Sequence, residues 1–378
     1  MPVIQVYLTE GSRRLLEGVG RFARERPAWS LARGDRDRAI DTQARRAGAA
    51  GLLGVWNGSE RVAQQVARLG LPAVDMYGPT GGSMPMVTVA DDRVGQLGAE
   101  HLMDCGYRRL AFCGLDQRWS LLRQRGFVGA ARRAGAPCTT LGGGRAGERK
   151  VTWSALHGGD LLGKWLAKLK RPVGLMVASD PLGRRVQDEV GRLGWSVPDQ
   201  LGLLGVDNRL DACLFGSVPM SSIDRNEVTV GYEAARLLDQ MLAGEPAPEQ
   251  AVEIEPVGVI PRKSTEGVPF TDPDLTAALQ FMRAHADEGI GVEDVLDAST
   301  ISRRTLERRF VEAIGRTPAA ELRRLRLERA REQIISTDMP LVEVAVRSGF
   351  GSVSHLSKAF KSAYGEPPSD YRAHRRRR

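Results

Sequence analysis

Long apolar runs are missing from this sequence of 378 residues: nothing in it approaches the ~20 consecutive apolar residues of a membrane-spanning helix. A basic leader and a small-residue cleavage site are missing as well. The chain enters an apolar run at 3–8, so neither a signal nor a transit peptide is expected, and the protein is expected to be cytoplasmic with no membrane partner. Cysteine is scarce. The four present, Cys105, Cys113, Cys138 and Cys213, show neither metal-ligand spacing nor a paired framework and read as reduced thiols. The five histidines, His101, His157, His285, His355 and His374, are scattered. H-E-x-x-H, G-x-S-x-G and Walker A motifs are absent, and the glycines at 142–144 are not followed by a Gly-Lys-Ser/Thr element, so that stretch reads as a surface loop. No catalytic residue, metal site or cofactor is expected, and an enzyme is the disfavoured class. What is present, 42% hydrophobic and 26% charged residues, describes a globular chain of two or three domains.

The basic excess is local. Residues 298–378 hold 18 Lys/Arg against 9 Asp/Glu, while residues 1–297 hold 36 against 37. Such asymmetry suggests a segment that faces a polyanion. Arg375, Arg376, Arg377 and Arg378 could be a solvated tail, yet the segment remains basic without them.

Residues 1–260 alternate short apolar runs (3–8, 52–55, 73–75, 87–89, 110–114, 173–177, 201–206, 252–254) with amphipathic stretches (14–24, 61–69, 94–103, 121–134, 161–169, 185–193, 228–242). This alternation predicts an α/β fold with a mostly parallel sheet covered by helices on both faces. Ligands in such folds sit beyond the carboxyl ends of strands, which directs attention to Trp56, Asn57, Ser179, Asp180, Asp207 and Asn208.

Strand signals stop near 261–271. Asp272 then precedes Pro273, the sequence of a capped helix start, and the pattern stays helical to the end. Within this part the sequence repeats at an offset of 50 residues: Ser302 pairs with Ser352, Leu306 with Leu356, Arg308 with Lys358, Phe310 with Phe360, Gly315 with Gly365 and Pro318 with Pro368. Each unit has a short apolar helix, a turn and a Ser-capped helix, the order of a helix-turn-helix. Leu306, Phe310 and Ala313 form an inward stripe, leaving Arg304, Glu307, Arg308 and Val311 on the other side and Arg303 near the amino end. In the second unit Leu356 and Phe360 turn inward, while Val353, Ser354, Ser357, Lys358 and Lys361 face out, with His355 at the edge. A helix fits the major groove, where arginine can bond guanine through two donors. Between the units 318–335 reads as one helix of about 27 Å, long enough to hold two reading helices roughly one duplex turn apart. A solvated charged face would explain one such cluster; duplication at constant offset favours DNA.

These motifs resemble the AraC family of bacterial transcription regulators. The likeness runs over about 272–372: SRRTLERRF at 302–310, GRTP at 315–318, RLERA at 326–330, Ala345, Gly349, Phe350, Ser352, Leu356, Phe360 and GEPPSDYR at 365–372. Leu296, Thr300 and Val342 depart from the family's usual small or capping residues, which bears on packing rather than on groove-facing positions. Residues 1–260 resemble the effector domain of LacI/GalR-type repressors, through DDRVG at 91–95, EHL at 100–102, RQRGF at 123–127, VASD at 177–180, GWSVP at 194–198 and LGLLGVD at 201–207. The resemblance implies a two-lobed, periplasmic-binding-protein-like (type I) sensor over 1–262, a linker at 263–271 and an all-α double helix-turn-helix domain over 272–378. It further implies that Arg123 and Asp207 bond sugar hydroxyls, that Trp119 stacks on a sugar face, and that Ser179 stands where the repressors often have Asn; Asn57 and Asp92 are weaker candidates at strand ends. The implied partners are double-stranded operator DNA, a small sugar (xylose or a related pentose), a second copy of the chain in a homodimer, and RNA polymerase if the regulator activates. A repressor, a regulator of another small molecule, and a sugar-binding protein or enzyme without a DNA role are the alternatives.

Overall fold

The computed structural model describes all residues except 1, 9–11, 36–37, 57–59, 79–83, 144–150, 158–159, 267–271, 298, 315, 338 and 378. The strands, in chain order, are β1 (Val3–Tyr7), β2 (Ser30–Arg33), β3 (Ala49–Gly54), β4 (Ala73–Met76), β5 (Met86–Val89), β6 (Leu110–Cys113), β7 (Cys138–Leu141), β8 (Val173–Val177), β9 (Leu201–Val206), β10 (Ser221–Asp224), β11 (Val252–Ile254) and β12 (Gly258–Ile260). They form two six-stranded sheets, ordered β11-β5-β4-β3-β1-β2 and β12-β10-β9-β8-β6-β7. Every pairing is parallel except β10 with β12. The apolar runs of β6, β8 and β9 are buried along their whole length, because helices cover both faces.

Four strands, β2, β7, β10 and β12, were not among the apolar runs. The most consequential is β10, whose sequence SSID looks like a loop yet is buried throughout. Its serines are satisfied internally: the Ser221 hydroxyl donates to the Arg262 carbonyl at 2.9 Å, and that of Ser222 to Asp180 Oδ1 at 2.7 Å. Burial of polar groups with partners costs little, so a polar strand can be central.

The chain passes between the lobes after β5, after β10 and between β11 and β12. These crossings are laced together. Ala90 N donates to Ile254 O at 3.1 Å, Asn226 Nδ2 to Glu255 O at 3.1 Å, and Val257 N to Asp224 O at 2.9 Å. The first crossing runs into helix Asp91–Asp104, which packs on helix Arg118–Arg133 in the second lobe. A Cβ on Gly95 would lie 1.8 Å from Arg123 O, and one on Gly126 would lie 1.9 Å from Asp92 O, so both positions need glycine for this backbone approach. That approach brings Asp91 to Arg123.

From 272 onward the described structure is helical. Asp272 caps helix Pro273–His285 by accepting from Asp274 N at 3.0 Å and Leu275 N at 3.4 Å. Helices Val292–Asp297 and Arg303–Ile314 make the first helix-turn-helix, and Leu341–Arg347 and Val353–Tyr364 the second. Leu306 and Phe310 are fully buried with Leu275, Met282 and Val295; Leu356 and Phe360 are fully buried with Val344, Ala345 and Tyr371. Each buried Phe contributes roughly 1.5–3 kcal/mol. Helix Pro318–Ser336 serves both cores, giving Leu322 to the first and Leu327, Ala330 and Ile334 to the second. We call it the spine helix. The stretch expected as a linker begins inside the second lobe: Ser264 and Thr265 are buried there, the Ser264 hydroxyl donating to Leu203 O at 2.5 Å, while 267–271 lie outside the described residues. All four cysteines are free, and burial pushes the thiols of Cys105, Cys113 and Cys213 up to about 12. No described helix is long and apolar enough to cross a membrane.

Candidate functional site

A cleft of about 480 Å³ opens between the lobes. Ser12, Val55 and Tyr77 line it from the first lobe, Asp91, Arg225 and Glu227 from the crossings, and Trp119, Arg123, Trp153, Ser179, Pro181, Asp207 and Arg209 from the second lobe. Its floor is a row of alternating charges. Arg123, 1% exposed, donates from Nε to Asp91 Oδ1 at 2.8 Å and from Nη1 to the Ala178 carbonyl at 2.5 Å, with Asp207 Oδ1 3.9 Å away. Asp207 Oδ1 lies 2.7 Å from Arg225 Nε, and Arg225 Nη2 donates to Glu227 Oε1 at 2.6 Å. Arg123 sits over the Trp119 ring at 4.7 Å, and Arg225 over Tyr77 at 4.6 Å.

These groups shift one another. Burial alone would lower the guanidinium of Arg225, but the negative charges of Asp207 and Glu227 prevail and raise it. Burial lifts the Tyr77 phenol far above its ordinary value, with Arg225 opposing. Burial likewise raises Glu227 against the pull of Arg225. Behind the floor Asp180 accepts from Arg209 N at 2.7 Å and from the Ser222 hydroxyl, bracing a loop in which Asp207 and Asn208 both have positive φ, 113° and 51°. Burial and the Asp207 charge push Asp180 up to about 7.

Four buried polar atoms on this cleft lack a hydrogen-bond partner: Tyr77 Oη, Ser179 Oγ, Asp207 Oδ1 and Arg225 Nε. The last two form an ion pair without hydrogen-bond geometry. Ser179 stands at the N-cap of helix Asp180–Arg192 but makes no cap bond. An unpaired buried polar group costs about 1–3 kcal/mol, which a polar ligand can recover. A polyhydroxylated molecule, able to donate and accept at adjacent positions, suits this set.

Of the residues named from sequence, Arg123, Asp207, Ser179 and Trp119 meet in the cleft. Asp92 does not line it. Its carboxylate is half exposed and takes a two-pronged bond from Arg125, with contacts at 2.7–3.1 Å. Asn57 lies outside the described residues. Tyr77, Asp91, Arg225 and Glu227 went unnoticed. Arg225 follows a strand that has no apolar run, so the strand-end rule did not point to it. Asp91 differs from Asp92 by one helical step, about 100° of rotation, and only the register of the helix start could separate them.

The second candidate surface is basic. Arg303, Arg304 and Arg308 are exposed on the first reading helix, as are Ser354, His355, Lys358 and Lys361 on the second; Glu307, Val353 and Ser357 are half-buried. Arg303 pairs with Glu293 and Glu307, and Arg308 with Glu312 at 3.0 Å, whereas Arg304 makes no ion pair among the described residues. Exposed pairs of this kind are worth ~0–1 kcal/mol, so a phosphate or base can displace them. Ser352 caps the second reading helix by accepting from His355 N at 3.2 Å. Arg326 and Arg329 of the spine helix tie back to the first unit, Arg326 Nε donating to Ala286 O at 3.0 Å and Arg329 Nη2 to Arg283 O at 2.6 Å. No cluster that could hold a metal ion occurs among the described residues.

A two-lobed cleft joined to a double helix-turn-helix with cationic outer faces defines a DNA-binding transcription regulator rather than an enzyme. Residues 99–265 match the model of a periplasmic binding protein-like domain, and residues 296–374 that of a helix-turn-helix domain. The xylose operon regulatory protein of Escherichia coli (strain K12) is 34% identical over 276 residues, 72% of this chain and 69% of that protein. Its namesake in Haemophilus influenzae is 26% identical over 292 residues, 76% of this chain and 74% of that one. The structure of the xylose-binding transcription activator xylR superposes over 98% of both chains with a TM-score of 0.59 at 27% identity. A LacI transcriptional regulator from a Rhodococcus species covers 71% of this chain with a TM-score of 0.57, a likeness of fold alone at 20% identity. The chain belongs to the AraC-type helix-turn-helix regulators that carry a periplasmic-binding-protein-like domain, the family of the xylose operon regulatory proteins.

Proposed function

We propose that this regulator responds to a small neutral sugar, a pentose of the D-xylose type, held between the lobes. The observation that carries the reading is the convergence on one cleft of Tyr77 Oη, Ser179 Oγ, Asp207 Oδ1 and Arg225 Nε, all buried and without a hydrogen-bond partner, the last two meeting only as an ion pair. The floor supports a ligand without negative charge: both of its guanidiniums are already paired, Arg123 with Asp91 and Arg225 with Asp207 and Glu227, so neither is left free for an anion. Arg123 and Asp207 bond hydroxyls in this reading, and Trp119 covers a sugar face. Relatives that carry xylose in their names support the choice of sugar. Closure of the lobes then alters the seating of the two reading units on tandem DNA half-sites, by no more than the difference in sugar affinity between open and closed states allows. The regulator works as a homodimer joined through the sensor and contacts RNA polymerase where it activates.

Calorimetric screening of pentoses and hexoses against the full chain tests the effector, and gel-shift of a duplex enriched by the protein from a random pool tests the response. D-xylose binding with a changed duplex affinity is expected. Absence of sugar binding, or sugar turnover, would overturn the reading.

A further inference from the structure

Arg331 lies where the spine helix passes the sensor. Its Nη2 donates to the Val257 carbonyl at 3.2 Å and its Nε to the Tyr371 hydroxyl at 3.1 Å, with the Tyr364 ring 5.8 Å away. Val257 belongs to the third crossing between the lobes; Tyr364 and Tyr371 pack in the second helix-turn-helix core. Gly258, next in the chain, has φ +129°, and a Cβ there would lie 2.5 Å from Arg331 Nη2. One side chain therefore touches the hinge and a reading unit together.

The other hydrogen bonds between sensor and helical region go to the second lobe. Arg316 Nη2 donates to Asp104 O at 2.8 Å and to its carboxylate at 3.1 Å, and Arg108 Nε donates to Ala313 O at 2.7 Å. Among the described residues none reaches the first lobe. The helical region thus rides on the second lobe and grips the segment about which the first lobe must turn on closure. A guanidinium is a rigid planar fork, so it cannot follow one acceptor through a rotation without loosening its hold on another. Hydrogen bonds weaken steeply below ~120°.

We infer that Arg331 is a positioning residue that couples the interlobe hinge to the second helix-turn-helix unit: turning of the Val257 peptide on closure changes how Arg331 seats Tyr364 and Tyr371. The inference rests on the sugar-response reading above, and the test separates the two. D-xylose affinity of the full chain is measured by calorimetry with and without the duplex enriched from a random pool. The wild type is expected to show a ratio on the order of ten, and Arg331→Met a ratio of about one to two with free-protein D-xylose affinity within about three-fold. Arg331→Lys, which keeps the charge but gathers its donors on a single nitrogen, should recover part of the ratio. A full wild-type ratio in Arg331→Met overturns the coupling role and leaves the sugar response standing. A wild-type ratio of one overturns both. Should Arg331→Met lose the duplex entirely, amide exchange in the wild type decides: adding the duplex alone must change exchange at 257–260, and unchanged exchange there rejects the coupling.

Discussion

Arg225 stands 2.7 Å from Asp207 and lays its guanidinium over Tyr77 at 4.6 Å, so the counter-charge for the cleft's central carboxylate comes from a crossing between the lobes. Under the proposed closure a residue in that position moves with the crossing, which ties the electrostatics of the site to its geometry.

Arg225→Met keeps the stem and removes the charge. Asp207 then keeps only Arg123, 3.9 Å away, and Glu227 loses its ion-pair partner, so a loss of about 2–4 kcal/mol in unfolding free energy is expected for these mostly buried groups. Urea unfolding measures it. An unchanged midpoint together with unchanged D-xylose affinity would show the ion pairs to be idle.

Tyr77→Phe separates stability from binding. The hydroxyl is buried and unpartnered, so its removal should leave stability equal or slightly higher. D-xylose affinity should nevertheless fall about five- to ten-fold, the worth of one hydrogen bond to a ligand hydroxyl. Calorimetry and thermal melting read the two effects; equal affinity would remove Tyr77 from the site.

Asp180 predicts a pH dependence. With its folded value raised to about 7 and an unfolded value near 3.8, it holds a proton in the folded chain but not in the unfolded chain between those limits. The stability it contributes is therefore complete below pH 4 and is lost as pH rises toward 7, with no further change above. Asp180→Asn lacks this slope. Urea unfolding from pH 5 to 8 should show the advantage of wild type over variant shrinking up to pH 7; a constant difference would contradict the assignment.

On the reading helices, Arg304→Ala should cost about 1–3 kcal/mol in specific DNA binding if Arg304 reads a guanine, and relax preference at one base position. Lys361→Ala should instead weaken all sequences alike and lower the salt slope by about one. Competition gel-shifts at two salt concentrations distinguish them. Undiminished affinity in Arg304→Ala would reject the groove assignment.

The helical region was the most legible part of the chain, because each capping serine and each apolar pair four residues apart states its own position. The serine at 352 does cap, and Phe310 and Phe360 do fill two separate cores. In the sensor the apolar strands could be read, but β10 could not: its serines are paid for by partners such as Arg262 and Asp180, distant in sequence. The cleft suffered accordingly. Arg123 and Asp207 could be proposed from resemblance, while Arg225 and Tyr77 needed three dimensions, since they lie in separate lobes' segments and meet only across the hinge.

Because Leu322 belongs to one helix-turn-helix core and Leu327 to the other, the angle between the two reading units is written in α-helical pitch. One residue inserted between them would rotate the second unit by ~100° and advance it by ~1.5 Å. Two would turn it nearly to the opposite side, whereas four overshoot a full turn by only ~40°. A change in the length of this helix is thus quantised in its effect: insertions near whole turns keep the outer faces of both units on one side, and those between do not.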